Sequence, residues 1–297
     1  MIEYNVQHLS AQHNFVVTGV SYIGNPKPHT AMFVTGKVSS LLKNLNGISD
    51  CLIFAENGIS VEQSIRDYNC VLFSDCPQRE YARFVQELYS EWERRERQRK
   101  YTYTKEGYYI GENVKIGIHA YIEHGCFIGH DVVIGDDACI LSGAVIKRSV
   151  IGDHLFVNEN AVIGSSGFTM TEDEEGNLFR IPTLGMVHIG NNVEIGAHDN
   201  ISCGSSGNTL IEDYVKLDAF VHIGHDAHLG RNVEITAGSI IGGFAHLDCH
   251  TYIGLNATIR NRISLGANSV IGMGATVTKN VAPNITVAGN PAKLFIK

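Results

Sequence analysis

Histidine is the residue type in this chain best suited to moving protons. The 297 residues include 14 histidines, and five of them, His222, His225, His228, His246 and His250, fall between positions 222 and 250. An unperturbed imidazole titrates near neutral pH, so each is a candidate general base. A histidine cluster can also hold zinc, which needs three protein ligands and an open position for hydrolytic work. The seven cysteines are scattered, odd in number and without a Cys-x-x-Cys pair. Free thiols in a reducing cytoplasm are the expectation from that pattern.

What must position these residues is an aliphatic side chain every six positions. From Ile211 the series runs Leu217, Ile223, Leu229, Ile235, Ile241, Leu247, Ile253, Ile259, Leu265, Ile271, Val277. Upstream it runs from Ile110 through Ile146, slips by one to Ile151, and resumes at Val157 and Ile163. A period of six fits neither the 3.6 of a helix nor the alternation of a two-sided strand. It fits a solenoid with three short flat faces, each supplying one inward aliphatic, and hence a coil of about 18 residues built from three such six-residue steps. Many of the aliphatics precede Gly, as in Ile128-Gly129 and Ile134-Gly135; tight corners that need a residue without Cβ are the expected reason. Coil arithmetic places Gly243 one turn above His225 and His246 one turn above His228. The Gly243 N–H, with no side chain in the way, is a candidate oxyanion donor, and Gly242-Gly243 lets a ligand approach the backbone.

Residues 1–76 lack this beat and read as a small α/β domain. Asn14–Thr18, Thr30–Val34 and Cys51–Phe54 are strand-like, with a helical candidate at Val38–Leu45. A connecting helix is expected over 77–105, with Asp75 as N-cap, Pro77 in the first turn and Tyr81, Phe84, Val85, Leu88 and Trp92 as its apolar stripe. Its end, Glu93 to Lys100, mixes charges and reads as a solvated helix terminus. The solenoid is expected over 106–281, with a tail at 282–297. Residues 165–187 break the beat and must leave the prism as a loop whose acidic centre, Glu172-Asp173-Glu174-Glu175, is a solvated tip. A smaller bulge is expected around Gly204–Asn208. Net charge is −8, which disfavours nucleic acid as a partner. Met1–Asn5 has neither basic nor apolar signal-peptide character, and no apolar run approaches the length of a membrane span. A cytoplasmic protein with no integral membrane segment is the expectation.

These motifs resemble the hexapeptide-repeat, left-handed β-helix acyltransferases, and within them the UDP-3-O-acylglucosamine N-acyltransferases of lipid A synthesis and related nucleotide-sugar N-acetyltransferases. The resemblance lies in Gly164-Ser165-Ser166-Gly167-Phe168, Ile181-Pro182-Thr183-Leu184-Gly185, Val193-Glu194-Ile195-Gly196-Ala197 and Leu217-Asp218-Ala219-Phe220-Val221-His222-Ile223-Gly224-His225-Asp226. It extends more weakly to Met32–Lys37 and Cys76–Phe84. It implies a mainly β chain: a left-handed parallel β-helix behind a small N-terminal α/β domain. It also implies His225 as catalytic base, Asp218 as the carboxylate that orients it, and Gly243 as the oxyanion donor. Gly242, Phe168, His222 and His246 are the implied substrate- or cofactor-binding residues. The implied assembly is a homotrimer, with no metal and no permanently bound cofactor, in which acyl-CoA is a co-substrate lying in a groove between prisms.

The chain also departs from that pattern. Ser202-Cys203 replaces an Asp-Arg pair, Val38 stands where an aromatic would stack on a base, and Arg262 replaces a second histidine. The ending Val287–Lys297 is similar to CoA-dependent sugar acetyltransferases rather than to enzymes served by acyl carrier protein. The expected reaction is therefore acyl transfer, most simply from acetyl-CoA, to the amine of a nucleotide-linked amino sugar in polysaccharide or glycolipid synthesis. The lipid A reaction with an acyl carrier protein donor is the alternative. Two further alternatives are a zinc enzyme resembling the γ-class carbonic anhydrases, whose ligand arrangement is not recognisable here, and a non-catalytic β-helix scaffold.

Overall fold

The computed structural model describes residues 3–295. Met1 and Ile2 of the N-terminal segment, and Ile296 and Lys297 of the tail, lie outside the described residues. The chain divides into two units. One holds residues up to Gln98 together with Phe168–Gly185 and Ser205–Gly207; the other holds Arg99–Gly167, Met186–Gly204 and residues from Asn208 onward.

In the first unit, strands Gly19–Val20, Thr30–Val34, Leu52–Glu56 and Cys70–Ser74 form a parallel sheet in that order. Strand alternation sends Met32, Val34, Ile53 and Ala55 to one face, against Leu45, Val61 and Ile65. Ala31, Leu52 and Phe54 go to the other face, against Tyr81, Phe84, Val85 and Leu88. The latter four lie on helix Pro77–Glu96. The helix expected as a connector over 77–105 is thus a layer of the first unit and ends at Glu96. Its N-cap is Cys76, which makes no side-chain capping bond. Asp75 instead accepts a hydrogen bond from Asn57 Nδ2 at 2.6 Å. The helical candidate at Val38–Leu45 is part of a 3-10 helix, Gly36–Leu45.

The 165–187 interruption is more ordered than the expected loop. Met170–Glu172 pairs antiparallel with Leu178–Arg180, and Phe179, Ile181 and Leu184 pack into the same core as Tyr81 and Phe84. The Asp173 carboxylate closes the hairpin tip by accepting from the Glu175 and Asn177 backbone N–H groups. Glu174, expected at a solvated tip, pairs with Arg83 and Arg79 of the helix.

The second unit is the predicted solenoid. Short strands, mostly of two residues, stack into three parallel sheets of ten, ten and eight strands, the outermost pairings excepted. The first face carries Tyr109–Ile110 through Thr276–Val277, the second Lys115–Ile116 through Ser264–Leu265, and the third Tyr121–Ile122 through Val270–Ile271 and Thr286–Ala288. Pairings such as His222↔Ile240 and Ile223↔Ile241 fix the coil at 18 residues. The slip at Ile151 is a 17-residue coil, Ile134↔Ile151. The inward aliphatics Ile128, Ile140, Ile146, Ile163, Ile223 and Ile241 are fully buried. Burying one such side chain stabilises by roughly 1.5–3 kcal/mol, so the six-residue beat itself drives coil closure.

The corners revise the expected role of glycine. The left-handed position at each corner is mostly filled by other residues, including Asn113, Asp131, Asp226, Phe244 and Arg262, all near φ +60°. The glycines that follow the inward aliphatic serve close stacking instead. A Cβ on Gly224 would lie 2.5 Å from the Gly243 nitrogen, and one on Gly117 2.5 Å from the Gly135 carbonyl carbon. The 106–281 boundary also shifts. Thr102–Tyr103 pairs antiparallel with Tyr109–Ile110 at one end. At the other, Thr286–Ala288 joins the third face and pairs antiparallel with Lys293–Leu294. Both interruptions leave from the corner between the first and second faces: one between Val162–Ser165 and Val187–Ile189, the other between Asn200–Ser202 and Thr209–Ile211. No helix among the described residues is long and apolar enough to cross a membrane.

Candidate active site

The same corner, one coil further on, carries His225 between strands His222–Ile223 and His228–Leu229. A Cβ on Gly167 would lie 2.9 Å from the His225 Cβ and 3.1 Å from Cγ. A Cβ on Gly243 would lie 2.8 Å from Nε2 and 2.9 Å from Cε1. The ring therefore occupies a slot between two backbone segments that both lack side chains. It is 17 % exposed, and the Asp226 carboxylate beside it is 5 % exposed.

Asp226 is the residue sequence reasoning missed. His225 Nδ1 lies 2.8 Å from Asp226 Oδ2. Neighbouring side chains in an extended chain point apart, but the left-handed backbone at Asp226 (φ 59°) turns its carboxylate back to the imidazole. A carboxylate there accepts a hydrogen bond from Nδ1–H and so leaves Nε2 with the free lone pair. The Asp226 backbone N–H donates to Thr209 Oγ1 at 2.9 Å, anchoring the corner.

Asp218 does not have the role expected of it. It sits at the corner between the third and first faces, at the opposite end of strand His222–Ile223. Its carboxylate accepts from the Ala219 N–H at 2.8 Å and the Ala237 N–H at 3.2 Å, tying its own turn to the next coil. Beneath that corner lies a buried carboxyl, Asp199, accepting from the Gly196 and Val221 N–H groups at 2.8 and 2.7 Å. Burial raises its pKa to about 7, against the lowering effect of those two bonds and helped by the Asp218 charge.

Gly243 is placed as the coil arithmetic predicts. Phe244 N–H donates to the His225 carbonyl at 2.9 Å, so the two corners are vertical neighbours. Gly242 lies against the following coil, where a Cβ would meet the Asn261 nitrogen at 2.5 Å. His222 is on the outer side of the first face, half-buried, its Nδ1 3.0 Å from Asn200 Nδ2. Burial, and then the His225 charge, lower its pKa, so it favours the neutral ring. His246 is not brought to His225. It lies on the second face with its ring centroid 4.6 Å from that of His228, and His228 Nε2 is 2.7 Å from Glu212 Oε1. Burial and then His228 lower the His246 pKa. Phe168 belongs to the first unit, is highly exposed, and has the Arg180 guanidinium 5.2 Å from its ring centroid. Among the described residues no three His, Cys, Asp or Glu side chains are grouped to hold a metal ion. All seven cysteines are unpaired.

Repeat, corner stacking and topology together define a fold class, the left-handed parallel β-helix with a six-residue repeat. The family described as "Bacterial transferase hexapeptide (six repeats)" matches residues 107–148 and 208–243. Among particular proteins, the chain is similar to UDP-3-O-acylglucosamine N-acyltransferase 2 of Legionella pneumophila strain Paris, 50% identical over 147 residues, or 50% of this chain and 43% of that one. It is also similar to the UDP-3-O-acylglucosamine N-acyltransferase of Shewanella denitrificans, 43% identical over 93 residues, or 31% of this chain and 27% of that one. The matched stretch thus spans less than half the length of these curated relatives. Of solved structures, the Francisella novicida UDP-N-acetylglucosamine acyltransferase superposes with a TM-score of 0.58 at 25% identity, covering 64% of this chain and 68% of that one. LpxA of Acinetobacter baumannii superposes at 0.59 with 23% identity, over 65% and 72% of the two chains, a likeness of fold.

Proposed function

We propose that the protein is an N-acyltransferase that moves a short acyl group, most simply acetyl, from a CoA thioester to the amine of a nucleotide-linked amino sugar. The observation that carries this reading is the imidazole of His225, backed by the Asp226 carboxylate and slotted between Gly167 and Gly243. The names of the relatives, all N-acyl transfer enzymes acting on a UDP-sugar, support the acceptor class.

In this reading His225 Nε2 takes a proton from the acceptor amine as nitrogen attacks the thioester carbonyl carbon. Asp226 holds the Nδ1 proton and stabilises the imidazolium that forms. The developing oxyanion meets the Gly243 N–H, for which no acceptor is found among the described residues. Collapse breaks the carbon–sulfur bond, and the leaving thiolate takes the proton from imidazolium, giving amide and free CoA thiol. A homotrimer belongs to the same proposal. The outward rungs Leu210, Ile240, Tyr252 and Val270 leave large apolar side chains exposed on the faces of the prism, surface of the kind a second copy covers.

The test is thiol release from acetyl-CoA with a panel of UDP-linked amino sugars. Amine-dependent release by the wild-type protein, lost in His225→Ala, is the expected outcome; no release with any member of the panel rejects the CoA reading. The 50% identity to the Legionella protein favours a second reading, in which the acceptor is UDP-3-O-acylglucosamine and the donor an acyl carrier protein. Running that acceptor with both donor types separates the two.

A further inference from the structure

Gly242 and Gly243 strip side chains from the corner above the base, and Phe244 is the first side chain after them. Its ring stands edge-on to the His225 imidazole, centroids 5.3 Å apart and planes at 88°. One coil higher on the same corner, the Arg262 guanidinium lies 4.0 Å from the centroid of the Phe244 ring, within cation–π distance. Phe244 has the left-handed backbone of its corner position (φ 59°), and its N–H is tied to the His225 carbonyl. The backbone of Phe244 is thus anchored to the His225 corner, and its ring lies between the imidazole and the Arg262 cation.

We infer that Phe244 sets the size of the acyl group the protein accepts, with Arg262 holding it in place. The inference rests on the donor reading above. Around the imidazole, Gly167 and Gly243 fill the two directions along the prism and Asp226 covers Nδ1. The Phe244 ring, edge-on to the imidazole at 5.3 Å, is the apolar surface that the substituent of a carbonyl seated between Nε2 and the Gly243 N–H would meet. A methyl group ends before the ring. A long chain needs the volume the ring occupies, and the Arg262 contact opposes the swing that would free it. Phe244 is thus a specificity-determining residue, and its removal opens an apolar slot in which each added methylene finds cover.

The experiment measures binding by calorimetry of the unreactive thioethers S-ethyl-CoA and S-octyl-CoA to the full chain and to the variants Phe244→Ala and Phe244→Leu, without an acceptor sugar. The wild type is expected to favour the ethyl compound by about tenfold or more. Phe244→Ala is expected to shift the octyl-to-ethyl affinity ratio at least tenfold toward octyl, and Phe244→Leu to shift it part of the way. Phe244→Leu gives the same reading if the alanine variant does not fold. A wild type that binds octyl as tightly as ethyl, or an unchanged ratio in a folded variant, overturns the inference while leaving the CoA reading intact. A wild type that binds neither compound removes the CoA reading and the inference with it.

Discussion

At the scale of single residues the site turns on one nitrogen. His225→Ala is expected to lower the rate constant for thiol release by roughly two orders of magnitude or more, as loss of a general base does; turnover near the wild-type level would show that another group takes the proton. Asp226→Asn still fills the space but no longer supplies a charge and can present its amide N–H to the ring, favouring the tautomer with a protonated Nε2. A drop of about 10²-fold in kcat with KM for the sugar little changed is expected. Asp218→Asn is the comparison that separates the two carboxylates. Because Asp218 caps a turn at another corner, this variant should keep its activity and lose a little stability, visible as a lower melting temperature. The partner of His225 was not legible in the sequence for a definite physical reason. In an extended chain the residue after a histidine faces away from it, and only the left-handed backbone reverses that. A signal was present: Asn113, His119, Gly125, Asp131 and Asp137 recur at a six-residue interval, marking a corner position that favours αL-tolerant residues.

At the scale of the coil, glycine and a buried acid set the limits. Gly224→Ala places a methyl against the next coil's backbone, at a cost of about 1–3 kcal/mol for overpacking, with the slot around His225 distorted as well; chemical denaturation checks the first effect. Asp199 predicts how the third-to-first corner responds to pH. Its pKa is raised in the folded state, from the ordinary 3.8 to about 7. Between those values the folded chain holds a proton that the unfolded chain has lost. Its contribution is therefore fully present below about pH 4 and is lost as pH rises through 7. The full span corresponds to about 4 kcal/mol. Denaturation midpoints followed from pH 5 to 8 should fall for the wild type and stay flatter for Asp199→Asn; parallel curves would show that the carboxyl is ionised throughout. This acid was also missed in the sequence, because the local run Gly196-Ala197-His198-Asp199 does not itself show that His198 faces out and Asp199 is turned inward. The aliphatic beat, by contrast, was fully legible. Strand period and coil closure impose it directly on the sequence, so spacing alone identified Ile223 and Ile241 as stacked neighbours and with them the placing of Gly243 over His225.

At the scale of the whole molecule, a trimer is the expected assembly. Sedimentation equilibrium should report close to three times the 32.5 kDa chain mass, and a monomer at micromolar concentration would remove the proposed groove between prisms. The division of the chain was less legible than the repeat. The sequence suggested a helix that only connects and a loop that only protrudes, yet helix Pro77–Glu96 and hairpin residues Phe179 and Ile181 complete one core. Long-range partnership of that kind leaves no local period to read.

The reversed strands at the two ends of the solenoid also bear on its solubility. Parallel rungs of two residues offer an open template at either end, and identical chains with such ends tend to grow into fibres. Thr102–Tyr103 at one terminus of the stack and Lys293–Leu294 at the other run against the grain of the rungs they cover. A further copy arriving in parallel register meets a ladder of the wrong polarity on those edges. Parallel addition of another coil is thus opposed on one face at each end of the stack by a two-residue strand.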